Sequence, residues 1–233
     1  MKPLSNILED ALQLFYPHVC AGCVDDLHGK NQLICFNCMQ QLPYTDFAKI
    51  PDNQIEHIFY GRAKIQSACS IFYFSKGQII QQLIHQLKYK GNQEIGIYLG
   101  KLMGEQLLNS GRFKNIDAII PLPMHPDKQR KRGYNQAEVL ANGLSQKMNI
   151  PVLNKIILRS KKTSTQTKKQ RLERWVNVDR TFDVQNKDSI IGKHILLIDD
   201  VITTGATLEA CSNAILSVEN TTLSIAVLAH ASD

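Results

Sequence analysis

The stretch from Ile195 to Leu208 constrains the fold of this chain more than any other. It begins with four consecutive apolar residues, which predict a strand buried on both faces of a parallel sheet. Two adjacent acids, Asp199 and Asp200, follow at the end of this strand, where open α/β sheets bind their ligands. A hydroxyl-rich turn then leads into a predicted helix at 208–216. The stretch therefore predicts an α/β fold with a ligand site at the carboxyl edge of its sheet.

The two halves of this stretch suit two different chemical groups. Backbone N–H groups and hydroxyls beside a helix N-terminus suit a phosphate, and the cradle would consist of Thr203, Thr204, Gly205, Ala206 and Thr207. Because like charges repel, Asp199 and Asp200 suit the hydroxyl groups of a polyol instead. A diol site beside a phosphate site predicts a ribose 5-phosphate ligand. In the structural alternative, the acids cap a helix and the threonines fill a turn.

Two C-x-x-C pairs predict a metal site near the N-terminus. Four thiolates at this spacing form a closed tetrahedral zinc site, which leaves no coordination position for catalysis. Zinc is therefore expected as a structural cofactor, and disulfides are the weaker interpretation in a reducing compartment. The predicted ligands are Cys20, Cys23, Cys35 and Cys38. The other cysteines, Cys69 and Cys211, have apolar neighbours and are expected in the core.

The length of the chain and the position of its prolines and polar residues suggest two domains. A chain of 233 residues can form one α/β domain and a small appendage. Prolines and polar residues between Pro43 and Gly61 predict the boundary, with an N-terminal helix and zinc-ribbon-like domain at 1–58 and the main domain at 59–233. No segment approaches the roughly 20 apolar residues of a membrane span, and no signal peptide is visible, so a cytoplasmic location is expected.

Periodicity predicts the remaining elements of the main domain. Alternating or continuous apolar residues predict strands at 67–74, 117–120 and 222–228. Apolar residues at helical spacing predict helices at 5–15, 77–87 and 94–108, and a further helix that Asn135 caps and that ends near Met148. The net charge of +6 is concentrated at 128–132 and 155–174, which suits a polyphosphate or a nucleic acid as well as a solvated surface.

The stretch at 195–208 resembles the loop that binds 5-phosphoribosyl 1-pyrophosphate (PRPP) in type I phosphoribosyltransferases. This resemblance implies a parallel sheet with helices on both faces. It also implies that Asp199 and Asp200, as catalytic residues, contact the ribose hydroxyls, while 203–207 surrounds the 5-phosphate. The loop after the strand at 117–120 would hold pyrophosphate, largely through backbone N–H groups. Prolines remove two of those groups, so the candidates carried over are Leu122, Met124 and His125. The neutralising cations would be Lys128, Arg130, Lys131 and Arg132.

A second motif narrows the resemblance to the ComF family of competence proteins. The family motif R-x-R-G-Y-N-Q is complete at 130–136. A later pattern is present as Thr163, Gln166, Arg171, Arg174, Asn177 and Val178, with one departure at Lys169. The segment 160–169 occupies the place of the lid that closes over PRPP, so Gln166, Arg171 and Arg174 are candidate lid or pyrophosphate residues. The resemblance also implies an association with natural competence, transformation and DNA uptake.

Two functions follow from these features. In the first, the chain is a transferase of the glycosyltransferase class that binds PRPP with Mg²⁺ and displaces pyrophosphate from ribose C1 with an unidentified acceptor. In the alternative, it is a non-catalytic protein that handles single-stranded DNA together with other DNA-uptake proteins, and PRPP is a regulator or a vestige. Type I relatives are often dimers, so a homodimer is a further expectation.

Overall fold

The chain folds around a four-stranded parallel sheet, which a computed structural model describes within residues 18–27, 29, 32–159 and 181–231. In chain order, the strands are β1 (Ala68–Phe74), β2 (Ala118–Pro121), β3 (Ile157–Arg159), β4 (Phe182–Val184), β5 (His194–Ile202) and β6 (Thr222–Ala231). The strand order in the sheet is β1-β6-β5-β2, and β3 pairs with β4 in a separate antiparallel ladder. The predicted strands at 67–74, 117–120 and 222–228 are confirmed as β1, β2 and β6.

Strand β5 lies in the interior of the sheet, as its apolar run predicts. Each residue from Ile195 to Ile198 is 0% exposed, because helices and neighbouring strands cover both faces. β2 stops pairing with β5 at Ile198, whereas β6 continues to pair as far as Ile202. β5 therefore extends through Asp199 and Asp200, beyond its predicted end, because the longer β6 supplies backbone partners. Past Ile198 the other edge of β5 is no longer covered by β2, and a crevice opens there.

The helices follow the predicted apolar stripes. The four apolar residues at helical spacing in the helix Ile79–Tyr89 are buried, and Gly91 follows that helix with a φ of +70°. The last helix begins at Ala206 rather than at Leu208, and the predicted helix at 5–15 lies outside the described residues. In the described parts of the chain, the α-helices are α1 (Phe36–Gln40), α2 (Gln54–Phe59), α3 (Ile79–Tyr89), α4 (Gln93–Ser110), α5 (Pro126–Arg132), α6 (Gln136–Met148) and α7 (Ala206–Leu216).

Two glycines allow α4 and α6 to cross with their backbones in contact. A methyl group added to Gly100 would lie 2.2 Å from the carbonyl oxygen of Leu140, and one added to Gly143 would lie 2.2 Å from that of Ile97. Only glycine fits at such distances. The close crossing brings α6 against β2 and β5. It thereby positions the polar N-terminus of α6 beside the crevice at the end of β2.

The segment that precedes β1 packs directly on the sheet. The N–H of Thr45 donates to the carbonyl oxygen of Ile71 (3.0 Å), and the Asn53 amide donates to that of Ala68 (2.9 Å). Arg112 forms an ion pair with the buried Glu56, which in turn accepts the N–H of Ala68 (3.1 Å). The division into 1–58 and 59–233 stays a prediction. None of the described helices combines the length and the apolar character that a bilayer crossing requires.

Candidate functional site

Asp199 and Asp200 lie at the uncovered edge of β5 and are not equivalent. The N–H of Asp200 donates to Oδ1 of Asp199 (2.8 Å). The ammonium group of Lys88, at the end of α3, donates to Oδ1 of Asp200 (2.9 Å). The side chains of Lys88 and Asp200 are 18% and 13% exposed, so this ion pair is only weakly screened by water. One carboxylate therefore has a cationic partner, and the other has a backbone donor.

The environment of Asp199 favours its protonated form. Burial, and after it the adjacent charge of Asp200, raises the pKa of Asp199 to about 8. The more distant charges of Lys88 and Arg159 act in the opposite direction. A pair of close carboxylates whose charge is not fully compensated is a typical feature of a site that awaits a ligand with hydrogen-bond donors or positive charge.

The turn after β5 lines a small cavity of its own. A small cavity of about 70 Å³ is lined by Asp199 and by residues 201–208, including all five predicted cradle residues. Gly205 has a φ of +74° and no side chain to cap α7, which leaves the N–H groups of the first helical turn available to an anion. Arg62 donates to the carbonyl oxygen of Thr204 (3.1 Å) and pairs with Glu209, which holds the outer side of the turn.

A second cavity, of about 200 Å³, is also lined by Asp199, together with several of the other predicted residues. Asp199 is shared by both cavities, so the cradle and this space are adjacent. Four basic side chains and two carboxylates are among its lining residues. Its lining is Lys88, Leu122, Pro123, Met124, Lys128, Arg132, Asn135, Gln136, Ala137, Arg159, Asp199, Asp200 and Thr207. We refer to it as the cationic cavity.

The predicted pyrophosphate and lid residues fall into three sets: residues that line the cationic cavity, residues that do not, and residues outside the described parts of the chain. Leu122, Met124, Lys128 and Arg132 line it, and His125 and Lys131 do not. Arg130 does not either; its side chain is 74% exposed and pairs with Asp127 on the surface of α5. The reason is helical geometry, because residues two positions apart on a helix point in different directions. The remaining candidates, Gln166, Arg171 and Arg174, lie outside the described residues, as does the segment 160–169.

The loop between β2 and α5 has fewer free donors than a backbone pyrophosphate site needs. The N–H of Leu122 donates to the carbonyl oxygen of Ile198 (2.8 Å), which continues the sheet ladder by one bond. Pro121 and Pro123 have no N–H group. The carbonyl oxygen of Leu122 accepts the side-chain amide of Asn135 (3.0 Å). The loop is therefore anchored on both sides of Leu122, and the N–H of this residue is engaged within the protein.

The R-G-Y-N-Q residues hold the walls of the cationic cavity together. Arg132 lies over the ring of Tyr89 (5.4 Å) and donates to Oε1 of Gln136 (2.8 Å). The hydroxyl of Tyr134 donates to the carbonyl oxygen of Leu87, next to Lys88. Asn135 caps α6 by accepting the N–H of Ala137 and also holds the Leu122 loop. The motif thus joins the end of α3, the end of β2 and the start of α6.

Sequence reasoning missed two cationic residues of this cavity. In the sequence, Lys88 is a positive charge that favours the C-terminus of the predicted helix, and Arg159 is one of many basic residues in 155–174. Neither lies in a pattern with the two aspartates, from which they are separated by 112 and 40 or more positions. The one available signal is the adjacency of Lys88 to the predicted C-terminus of α3.

The four predicted cysteine ligands converge. The sulfur atoms of Cys20, Cys23, Cys35 and Cys38 all lie within 4.8 Å of one another. The N–H groups of Gly22 and Cys35 donate to the sulfur of Cys20 (3.3 and 3.2 Å). Burial opposes ionisation of Cys20, but these backbone donors lower its pKa to about 7. The cluster is a candidate metal site with four sulfur ligands. Cys69 and Cys211 are fully buried in the core, as predicted.

Comparisons with known proteins agree with this architecture. Residues 132–233 match the model of the phosphoribosyl transferase domain. The chain is 28% identical to competence protein F of Haemophilus influenzae over 85% of this chain and 90% of that protein. It is 36% identical to competence protein ComFC of Bacillus subtilis, over 61% of this chain and 56% of that one. It is also 28% identical to the DNA utilization protein YhgH of Escherichia coli K12, over 59% of this chain and 61% of that one.

The matched region contains the structural features on which the site depends. It includes the R-G-Y-N-Q residues from Arg132 onward, β5 with its two acids, the cradle and α7. The match to the Haemophilus protein covers most of both chains, whereas the Bacillus and Escherichia matches cover less than two thirds of those proteins. From the domain match, residues 132–233 contain a phosphoribosyl transferase domain, and the similarity to competence proteins agrees with the resemblance of this chain to the ComF family.

Proposed function

We propose that this chain binds PRPP at the carboxyl edge of β5 and acts as a phosphoribosyltransferase-like protein associated with natural competence. The main observation in support of this proposal is that Asp199 borders both cavities. One cavity has an uncapped helix N-terminus in its wall, and the other has four cationic side chains. The cradle suits the 5-phosphate, the acids suit the ribose hydroxyls, and the cations suit the pyrophosphate. One molecule of PRPP carries these three groups in this order.

The reaction that suits this arrangement is displacement of pyrophosphate at ribose C1. An acceptor forms a bond to C1 while the bond from C1 to the pyrophosphate oxygen breaks, and the electron pair leaves with pyrophosphate. Lys88 and Arg132 would stabilise the charge that develops on the leaving group. Carboxylate oxygens such as those of Asp199 and Asp200 are suitable Mg²⁺ ligands, so these residues fit the ion expected with PRPP. When bound, Mg²⁺ would supply further neutralisation of the pyrophosphate charge.

The finer assignments rest on the same residues and on the relatives. Zinc is proposed as the metal of the cysteine cluster, because four thiolates in a closed arrangement are typical of structural zinc. Single-stranded DNA and other DNA-uptake proteins are proposed as partners, since relatives of this chain are called competence and DNA utilization proteins. A cytoplasmic location and a homodimer complete the proposal. The comparisons do not favour the alternative in which the chain only handles DNA.

Calorimetric titration of PRPP with Mg²⁺ tests the central proposal. The wild type is compared with the Asp199→Asn/Asp200→Asn variant and with Asp188→Asn, an exposed acid outside both cavities. We expect binding by the wild type and by Asp188→Asn, and at least a tenfold loss in the double variant, since hydrogen bonds to charged groups contribute about 1.5–3 kcal/mol each. A folded wild type that does not bind PRPP would contradict the proposal.

A further inference from the structure

The described loop at 121–124 offers few of the backbone donors that a pyrophosphate loop would use. Between Pro121 and Met124, two residues are prolines and the N–H of Leu122 is bonded to Ile198 (2.8 Å). A pyrophosphate carries several negative charges and needs several donors. If it binds beside this loop, most of those donors have to come from side chains.

The side chains of the cationic cavity meet that need. Lys88, Lys128, Arg132 and Arg159 come from α3, α5 and β3, and all of them line the cavity together with Leu122 and Met124. Lys128 is exposed, whereas Lys88, Arg132 and Arg159 are partly covered by protein. Partly covered cations interact more strongly with a bound anion, because water screens them less. Lys88, Arg132 and Arg159 are therefore stronger candidates than Lys128.

Lys88 is held in position by a contact of its side chain and by one of its backbone neighbour, and among the four cations it is the one that pairs with an acid of the site. Its backbone neighbour Leu87 accepts the hydroxyl of Tyr134, and its ammonium group donates to Asp200 (2.9 Å). An ammonium group has three donors, so Lys88 can keep its bond to Asp200 and still donate to a phosphate oxygen. Its position beside the ribose-binding acid places it where the pyrophosphate and the ribose of one ligand would meet.

We propose that Lys88 is a pyrophosphate-binding residue and that, with Arg132, it performs by side-chain charge what a loop of free backbone N–H groups would otherwise do. This inference rests on the proposed function, because it takes PRPP as the ligand. It assigns a role to the Lys88–Asp200 ion pair, which joins the pyrophosphate side of the cavity to the ribose side. It also explains why Tyr134 and Arg132 both brace the end of α3.

Separate titrations of the two halves of PRPP test the inference. Inorganic pyrophosphate and ribose 5-phosphate are titrated without divalent cations into the wild type, Lys88→Met and Lys90→Met. Lys90 is the matched control, because it is exposed and does not line the cavity. We expect Lys88→Met to weaken pyrophosphate binding at least tenfold and to change ribose 5-phosphate binding less than threefold. Lys90→Met should change neither affinity by more than twofold. Circular dichroism and thermal melting establish that each variant is folded.

A double variant separates a direct contact from simple neutralisation of Asp200. If Lys88 served only to neutralise that acid, Lys88→Met/Asp200→Asn would recover wild-type affinity for pyrophosphate, and this result would overturn the inference. A persistent loss in the double variant supports it. Arg132→Gln gives an independent measure, and we expect it to weaken pyrophosphate binding while ribose 5-phosphate still binds.

The proposed function fails in a different way from this inference. A wild type that binds neither PRPP nor ribose 5-phosphate would refute the proposed function itself. A wild type that binds both, but binds pyrophosphate equally well with and without Lys88, would refute only the role of Lys88. The absence of measurable pyrophosphate binding in a wild type that binds ribose 5-phosphate would likewise overturn the inference alone.

Discussion

Replacing Gly205 by alanine separates two structural requirements of the phosphate cradle. Gly205 has a φ of +74°, and a Cβ atom there would lie 2.5 Å from Cγ2 of Ile58 in α2. The left-handed backbone costs an alanine about 1–2 kcal/mol, part of which is offset because alanine also restricts the unfolded chain. Cγ2 is attached to the Cβ of a branched side chain, so it cannot move alone, and the overlap adds about 1–3 kcal/mol.

Gly61 provides a matched control for the backbone term. Its φ is +70°, and an added Cβ would meet nothing within 4 Å. We therefore expect Gly61→Ala to lower the free energy of unfolding by about 1 kcal/mol and Gly205→Ala to lower it by about 2–4 kcal/mol. Urea unfolding followed by circular dichroism measures both values. The variant Gly205→Ala/Ile58→Ala should show a favourable coupling energy of about 1 kcal/mol or more, because it removes the overlapping methyl group.

The same substitution should affect the ligand only at the cradle. Relief of the overlap requires the turn 203–207 to shift, so ribose 5-phosphate should bind to Gly205→Ala at least tenfold more weakly, whereas Gly61→Ala should bind it normally. Equal losses of stability in the two glycine variants would refute the argument, since the backbone conformations are nearly the same. Unchanged ribose 5-phosphate binding by Gly205→Ala would show that this turn does not hold the phosphate.

Three further predictions concern the acids, the metal site and the buried ion pair. The raised pKa of Asp199 means that the native state binds its proton between the usual carboxyl range and pH of about 8, so stability should fall as the pH rises through that window. Asp199→Asn should flatten this dependence in thermal melts, and an unchanged slope would count against it. Cys20→Ser should reduce bound zinc, measured by elemental analysis, and lower the melting temperature, whereas Cys69→Ala should leave the zinc content unchanged. Arg112→Met should destabilise the fold by about 3–5 kcal/mol, because it leaves Glu56 buried without its cation; a urea-unfolding loss below about 1 kcal/mol would contradict that argument.

The local elements of this protein follow from short-range patterns. The apolar run at 195–198 predicts a fully buried strand, and all four residues are 0% exposed. The apolar stripe in α3 is confirmed because a helix buries residues at a fixed period. The cap at Asn135 is confirmed as well, because capping depends only on residues within one helical turn. The two C-x-x-C pairs predict a cysteine cluster because each pair brings its own sulfur atoms together, and the pairs do converge. The acids and the cradle likewise lie in one stretch of sequence.

What the sequence did not reveal depends on contacts between distant segments. β5 runs past its predicted end because β6 is long and β2 is short, which no local pattern records. The N–H of Leu122 is not free for a ligand, because β5 brings the carbonyl oxygen of Ile198 within hydrogen-bond distance of it. Arg130 does not line the cationic cavity, because its position on α5 directs its side chain to the surface.

The sequence by itself determined the strand, the paired acids, the hydroxyl-rich turn and the cluster of four thiols, because each is a local motif whose chemistry is encoded by residue type and spacing. Only the tertiary structure decided which cations meet the acids. Lys88 reaches Asp200 across 112 positions because α3 packs beside the sheet and Tyr134 holds its end. Charge on a side chain is visible in a sequence, but the partner of that charge depends on how the helices pack.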